Sequence, residues 1–393
     1  MNITILPRKL SGTIPAVASK SHMQRLLICA ALADGPTDIY CGQISDDIRA
    51  AVACLTALGA QINEQCGSYH VIPIGQLPET AALSCGESGA VLRFLLPVVG
   101  ALGIEATFEL EGRLADRPLD PLLQELERHG CRFGWSGKNR LHCAGQLCGG
   151  TYTLPGNISS QFISGLKMAF PRIEEPCALD ITGNVASRPY IQMTDDVLKR
   201  FGIADITCKH YRTPGTLQAE GDWSSAAFFY GANALGSDVT VTGLREDSTQ
   251  ADRAITSVLP QLAVHTAIDA ADFPDLVPIL AVIAAANKGA VFTNISRLRL
   301  KESDRITSIC EMLSAFGIAT DADENTLTVH PGHFGSCTVD SFHDHRIAMA
   351  AAIAASVAQG PVTIRNAQCV SKSYPRFWED YRTLGGCYEF HLR

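Results

Sequence analysis

The sequence predicts an α/β protein of two similar domains, each holding three copies of one supersecondary unit with its most apolar helix inside. Three observations lead there. The chain has 393 residues, 46% of them hydrophobic and 18% charged, enough for real cores in two or three domains and incompatible with a disordered chain. One pattern, an amphipathic helix followed by Gly and a short apolar strand, recurs roughly every 65 residues. Between its copies lie helices apolar on every side, and such helices are buried.

In chain order the amphipathic copies are residues 49–62 (RAAVACLTALGAQI), 121–133 (PLLQELERHGCRF), 192–205 (QMTDDVLKRFGIAD), 305–320 (RITSICEMLSAFGIAT) and 376–390 (RFWEDYRTLGGCYEF), with a weaker copy at 254–266. Gly59, Gly130, Gly202, Gly317 and Gly385 stand where a helix C-terminus wants a left-handed residue. The apolar helices are expected at 26–33, 91–102, 162–170, 226–235, 276–286 and 347–358. Each repeat thus supplies one buried helix and one that covers it.

Composition narrows the function classes. A net charge of −8 argues against a general nucleic-acid binder. The longest apolar stretch, 276–286, is about half of the ~20 residues a membrane span needs. The first twenty residues show no apolar signal region. The 14 cysteines contain no CxxC, and Cys29, Cys54, Cys177 and Cys310 fall in apolar segments. They read as reduced thiols of a cytoplasmic protein.

The helix starts carry the charge opposite to the one they favour. A helix N-terminus bears a partial positive charge and prefers acidic neighbours. Here Ser21 reads as a capping-box residue with Gln24, flanked by Lys20 and Arg25. Gly86–Glu87–Ser88–Gly89 precedes Arg93, and Ser159–Ser160–Gln161 opens the next apolar helix. Ser187–Arg188–Pro189, Lys301–Glu302–Ser303–Asp304–Arg305, Asp344–His345–Arg346 and Ser371–Lys372–Ser373 complete the set, with Lys301 and Arg305 expected on one helical face. A multiply anionic ligand, carrying phosphates and carboxylates, resolves the conflict. Because the cations come from both halves of the chain, the site is expected between two domains.

At these residues the chain resembles the 5-enolpyruvylshikimate-3-phosphate (EPSP) synthase family, the 3-phosphoshikimate 1-carboxyvinyltransferases. The matching segments run in family order from residue 19 to 377: SKSHMQR, GESGAVLRF, RLADRP, NISSQF, SRPYI, DFPDL, RLRLKESDR, DHRIAMA and SKSYPRF. KESDR and DHRIAM, after SKSHMQR and SSQ, are the specific part of the match. The resemblance implies two domains of three βαβαββ pseudo-repeats each, an inside-out α/β barrel with buried helices, and an active site in the interdomain cleft. The domains would be 1–18 with 220–393, and 19–219.

The implied reaction moves the enolpyruvyl group of phosphoenolpyruvate to the 5-hydroxyl of shikimate 3-phosphate and releases phosphate, a step toward chorismate and the aromatic amino acids. The resemblance implies no cofactor, no metal, no nucleic-acid or membrane partner, and a monomer. Asp275 would be the base, Glu302 the proton donor to the methylene carbon, and Lys20 a further proton-transfer group. Lys20, Ser21, Arg25, Ser159, Ser160, Gln161, Ser187, Tyr190, Asp275 and Lys301 would hold shikimate 3-phosphate. Lys20, Gly89, Arg117, Gln161, Arg305, Arg346 and Lys372 would hold phosphoenolpyruvate. Two positions depart from the pattern: Glu87 stands where the family often has Asn, and Arg297 where some relatives have Asn.

Three other readings compete. The UDP-N-acetylglucosamine enolpyruvyl transferases share the fold but normally carry a loop Cys before Arg-Pro, and here the loop reads EGRLADRP, with Asp116 beside Arg117. His330, His333, His343 and His345 crowd one segment and could suggest zinc, although no cysteine pair accompanies them. A silent anion-binding protein would keep the cations without needing both Asp275 and Glu302.

Overall fold

The computed structural model describes residues 1–65 and 67–391. Its elements run in chain order as follows. Strands β1 (Asn2–Leu6) and β2 (Ser11–Pro15) come first, then α1 (Lys20–Ala31), β3 (Thr37–Tyr40), α2 (Asp46–Ala57), β4 (Gln61–Gln65) and β5 (Ser68–Ile72). Next are β6 (Thr80–Gly86), α3 (Gly89–Leu102), β7 (Glu105–Leu110), α4 (Asp120–Arg128), β8 (Cys131–Trp135) and β9 (Arg140–Gly145). They are followed by β10 (Gly150–Pro155), α5 (Ser160–Ala169), β11 (Cys177–Thr182), α6 (Arg188–Arg200) and β12 (Thr216–Gln218). The second half holds α7 (Trp223–Ala234), β13 (Asp238–Thr242), α8 (Ile255–Val258), β14 (Thr266–Asp269), α9 (Val277–Ala286), β15 (Ala290–Thr293), α10 (Arg305–Ala315), β16 (Thr320–Ala322) and β17 (Thr326–Val329). It closes with β18 (Cys337–Asp340), α11 (His345–Ala355), β19 (Val362–Arg365), α12 (Phe377–Thr383) and β20 (Cys387–His391).

The chain divides into two compact units, one of Met1–Val17 with Gly221–Arg393 and one of Ala18–Glu220. Each has its own hydrophobic core. We call them the permuted unit and the central unit.

Sheet pairing makes the repeat visible. In the central unit the four-stranded sheets run β12-β3-β5-β4 and β6-β7-β9-β8, and in the permuted unit β14-β15-β17-β16 and β18-β19-β1-β20. All four share one pattern. The first pair is parallel and the other two are antiparallel, as in β6 with β7, β7 with β9 and β9 with β8. Each is a strand–helix–strand–helix–strand–strand unit. Two of them are closed by strands distant in sequence: β12 pairs with β3, and β1 lies between β19 and β20.

The remaining copy in each unit is shorter. Parallel pairs β10–β11 and β2–β13 stand alone as two-stranded sheets. The expected strand after Gly202 does not form. There the Asp205 side chain accepts from the Thr207 amide at 2.8 Å and turns the chain, a local alternative to a ladder. The weaker copy at 254–266 likewise holds only the four-residue α8 between short 3-10 turns, because Pro260 cannot continue a helix donor ladder.

Helix roles follow the apolar pattern. In α9 and α11 nearly every residue is buried, and α1, α3, α5 and α7 are close to that. The five capping glycines all take positive φ, from +79° at Gly202 to +109° at Gly130. The covering helices α2, α4 and α12 start with acidic residues, whereas α1, α3, α5, α6, α10 and α11 have none in their first turn. Among the described residues no helix is long and apolar enough to cross a membrane.

Candidate functional site

In the central unit the candidate residues gather at the starts of α1, α3, α5 and α6. Helix α1 begins at Lys20 with Ser19 as its N-cap, so Ser21 lies within the first turn and is not the cap expected from the capping-box pattern. Gln24 is turned elsewhere and donates to the Asp47 carbonyl and the Ser88 hydroxyl, each at 3.2 Å. Lys20 pairs with the buried Asp47 at 3.0 Å.

Arg25 is buried, and its donors go to neutral groups. Nε donates to Thr194 Oγ1 at 2.7 Å, Nη1 to the Ser21 carbonyl at 2.7 Å, and Nη2 to the Tyr190 carbonyl at 3.1 Å and Ser164 Oγ at 3.4 Å. It also lies over the Phe94 ring, 4.7 Å from its centre. Burial lowers its pKa to about 10. Arg25 therefore ties Ser21 on α1 to Tyr190 on α6, two expected ligands far apart in sequence. Thr194 and Ser164, which the motifs do not single out, complete that tie.

Ser159 caps α5, accepting from the Gln161 amide at 3.3 Å, and Ser160 is buried beside it. Ser187 caps α6 in the left-handed region at φ 55°, an uncommon conformation for a non-glycine residue that marks a constrained backbone. At Gly89 an added Cβ would stand 2.8 Å from Arg117 Nη1 and 3.1 Å from Arg93 Nη1. Only glycine lets those two guanidiniums converge there. Glu87 rests on Gly112, where a Cβ would meet its Oε1 at 2.3 Å.

In the permuted unit the candidates converge on Arg305, at the start of α10 and fully buried. Its Nη1 donates to Asp275 at 2.8 Å, its Nη2 to Glu302 at 2.6 Å and its Nε to Asp344 at 2.9 Å. Asp275 also receives Lys301 at 3.1 Å and Arg346 at 3.0 Å. Lys372 Nζ lies 3.8 Å from Glu302. Glu302 thus sits between Arg305 and Lys372, while Lys301 goes to Asp275. Because α10 starts only at Arg305, Lys301 precedes the helix. The expected i,i+4 helical face is replaced by convergence from a turn.

Two carboxylates here were given no role in the sequence reading. Asp344 accepts from Arg305, from Ser303 Oγ at 3.1 Å and from the Arg346 amide at 2.9 Å, so it caps α11 and anchors Arg305 together. It belongs to the DHRIAMA segment and was legible there. Asp252, also buried, lies 3.9 Å from Arg346 Nη1 and accepts from Ser224 Oγ. Only its place in the fold reveals it.

The electrostatics of the cluster are lopsided. Burial pushes Asp275 up, but Arg346, Lys301 and Arg305 outweigh it and hold its carboxyl well below the usual range. Burial pulls Arg305 down, yet Asp344, Glu302 and Asp275 raise it overall. Asp252 moves the other way. Burial raises it to about 6, with Arg346 opposing the shift.

The four histidines of the zinc reading do not form a ligand set. His330 pairs with Asp321 at 2.7 Å, His345 is buried in α11, and His343 takes a left-handed backbone. Among the described residues no group of three or more His, Cys, Asp or Glu side chains could hold a metal ion.

Known proteins agree with this architecture. The family model described as EPSP synthase (3-phosphoshikimate 1-carboxyvinyltransferase) matches residues 6–267 and 262–381. A protein of Clostridium kluyveri named 3-phosphoshikimate 1-carboxyvinyltransferase is 36% identical over 414 residues, covering 98% of this chain and 97% of its own. One of the same name from Clostridium novyi is 35% identical over 425 residues, covering 98% of each. Among solved structures, an EPSP synthase of Acinetobacter baumannii superposes with a TM-score of 0.81 at 23% identity over the full length of both chains. The enolpyruvyl transferase NikO of Streptomyces tendae gives 0.74 at 18% identity, covering 99% of this chain and 98% of its own. The chain belongs to the EPSP synthase family.

Proposed function

We propose that the protein transfers the enolpyruvyl group of phosphoenolpyruvate to the 5-hydroxyl of shikimate 3-phosphate and releases inorganic phosphate. The observation that carries this reading is the pair of carboxylates, Asp275 and Glu302, joined through one buried guanidinium, that of Arg305. Family membership and the curated relatives' names support the same reaction.

The chemistry requires a base at the hydroxyl and an acid at the methylene carbon. Asp275 takes the hydroxyl proton while the oxygen bonds to C2 of phosphoenolpyruvate. The double-bond electrons then take a proton from Glu302 at C3. Glu302 then takes back a C3 proton as the tetrahedral adduct expels phosphate, forming the enol ether of the product. Each proton transfer by a positioned group is worth ~10²–10⁴ in rate.

Arg346, Lys301 and Arg305 hold the Asp275 carboxyl low and make it a weak base. A phosphate and a carboxylate arriving on Arg305, Arg346 and Lys372 compete with Asp275 for two of those cations and with Glu302 for Arg305 and Lys372. Their binding raises the proton affinity of Asp275. The base is thereby switched on by the second substrate.

The central unit supplies the remaining binding groups. Ser159, Ser160 and Ser187 at the N-termini of α5 and α6 take the phosphate of shikimate 3-phosphate, since helix N-termini attract anions. Ser21, Arg25 and Tyr190 border its ring and carboxylate. Gly89, Arg117, Gln161 and Lys20 face phosphoenolpyruvate. Both sets of groups are needed for one turnover.

A continuous phosphate-release assay with both substrates, each omitted in turn, tests the reading. Phosphate should appear only when both are present. Equal release without shikimate 3-phosphate, or none with both, would overturn it.

A further inference from the structure

Arg93 lies outside the expected ligand set, yet it touches every segment of the central unit that carries an expected phosphoenolpyruvate ligand apart from Lys20. It sits in the first turns of α3 and is buried. Its Nη1 donates to Gln161 Oε1 at 2.8 Å and its Nη2 to the Pro118 carbonyl at 3.1 Å. Pro118 follows Arg117 directly. Its Nη1 also borders Gly89, within 3.1 Å of where a Cβ would stand, and its guanidinium lies 5.5 Å from the centre of the Phe162 ring, next to Gln161.

The mounting is rigid. Gly165 of α5 packs against the Arg93 backbone, where an added Cβ would stand 2.4 Å from the Arg93 carbonyl oxygen. Helices α3 and α5 therefore meet at backbone distance beside the guanidinium. Such a junction leaves little freedom to shift the side chains it carries.

We infer that Arg93 is a positioning residue that fixes which end of the Gln161 amide meets the anionic substrate and registers the Arg117 loop against it. The chemistry is directional. A guanidinium has five donors and no acceptor, so it can bind only the amide oxygen. With Oε1 committed to Arg93, the Gln161 NH₂ group is turned away from it as a donor. An anionic phosphate or carboxylate can accept only from that end. Without Arg93 the amide can present its oxygen instead, and that oxygen repels the ligand. The bond to the Pro118 carbonyl fixes the adjacent Arg117 in the same step.

This inference rests on the proposed transferase function, and its test separates the two. Steady-state constants for both substrates are measured for the wild type and for Arg93→Leu, Arg93→Lys, Gln161→Ala and the Arg93→Leu/Gln161→Ala double variant, with melting curves for each. A wild type that does not turn over both substrates removes the function itself. With an active wild type, Arg93→Leu should raise KM for phosphoenolpyruvate about tenfold or more and KM for shikimate 3-phosphate far less. Arg93→Lys, which keeps one donor for Oε1, should recover part of that loss. In the double variant the increase should fall clearly short of the product of the two single effects, because both remove one interaction. Should Arg93→Leu not fold, the Lys variant carries the test through its KM split. Equal losses for the two substrates, or fully multiplicative effects in the double variant, would overturn the inference.

Discussion

The two units treat their buried cations in opposite ways. In the central unit Arg25 and Arg93 donate to hydroxyls, an amide and carbonyls. In the permuted unit Arg305 alone meets three carboxylates, and Arg346 meets two. A buried cation with neutral partners is costly, and burial pulls Arg25 down to about 10. An arriving anion offsets that cost, so neutral partners suit a binding surface. Carboxylate partners instead create groups whose proton affinity responds to ligand charge, which suits acid–base chemistry. On the proposed function, the first set chiefly holds shikimate 3-phosphate, and the second carries proton transfer beside the phosphoenolpyruvate cations Arg305, Arg346 and Lys372, although both have the same sheet pattern.

The contrast can be broken at its strongest joint. Removing Asp344 leaves Arg305 short of its anchor and uncaps α11. Asp344→Ala should cost about 3–5 kcal/mol in urea unfolding. Asp47→Ala in the central unit should cost less, because Lys20 keeps access to water. Equal costs would mean that the two units hold their cations alike.

Ligand linkage should show next. Shikimate 3-phosphate at a hundredfold excess over its dissociation constant should add about 2.7 kcal/mol of stability by mass action. Asp275→Asn, with affinity within about tenfold of wild type, should retain at least about half of that gain in a thermal shift measurement, and Ser159→Ala/Ser160→Ala, about a hundredfold weaker, should lose most of it at the same ligand concentration. A reversed order would place binding in the permuted unit.

The smallest effect concerns pH. Asp252 rises from 3.8 to about 6 on folding. The folded state therefore binds its proton more tightly than the unfolded chain. The contribution of Asp252 to stability is fully present below pH 4 and is lost between pH 4 and 6, by ~1–3 kcal/mol. Asp252→Asn should flatten the wild-type stability profile across that window. An unchanged slope in denaturant titrations at several pH values would place Asp252 outside the cluster's charge balance.

Much of this architecture was legible in the sequence. The buried helices showed as continuous apolar runs, and the capping glycines marked the helix ends, because both signals are local. The shortened copies were not legible. Helix α6 looks like the other amphipathic helices, and only the turn at Asp205 and Thr207 stops the next strand. Ser21 and Gln24 fit a capping box, yet Gln24 is buried against Asp47 and Ser88 and the helix starts two residues earlier, capped by Ser19. Asp47 reads as one of two ordinary acids in the first turn of α2. Asp252, Thr194 and Ser164 lie outside the motifs, and folding alone brings them to Arg346 and Arg25.

The division of labour is tested most directly by measuring shikimate 3-phosphate affinity and turnover side by side in Asp275→Asn and Ser159→Ala/Ser160→Ala. Asp275→Asn keeps the hydrogen-bonding shape and removes the base. It should hold affinity within about tenfold of wild type while turnover falls ~10²–10⁴-fold. The serine variant should lose about a hundredfold or more in affinity, two hydrogen bonds to a charged group, and keep most of its turnover at saturation. Wild-type turnover in Asp275→Asn, or intact affinity in the serine variant, would contradict the account.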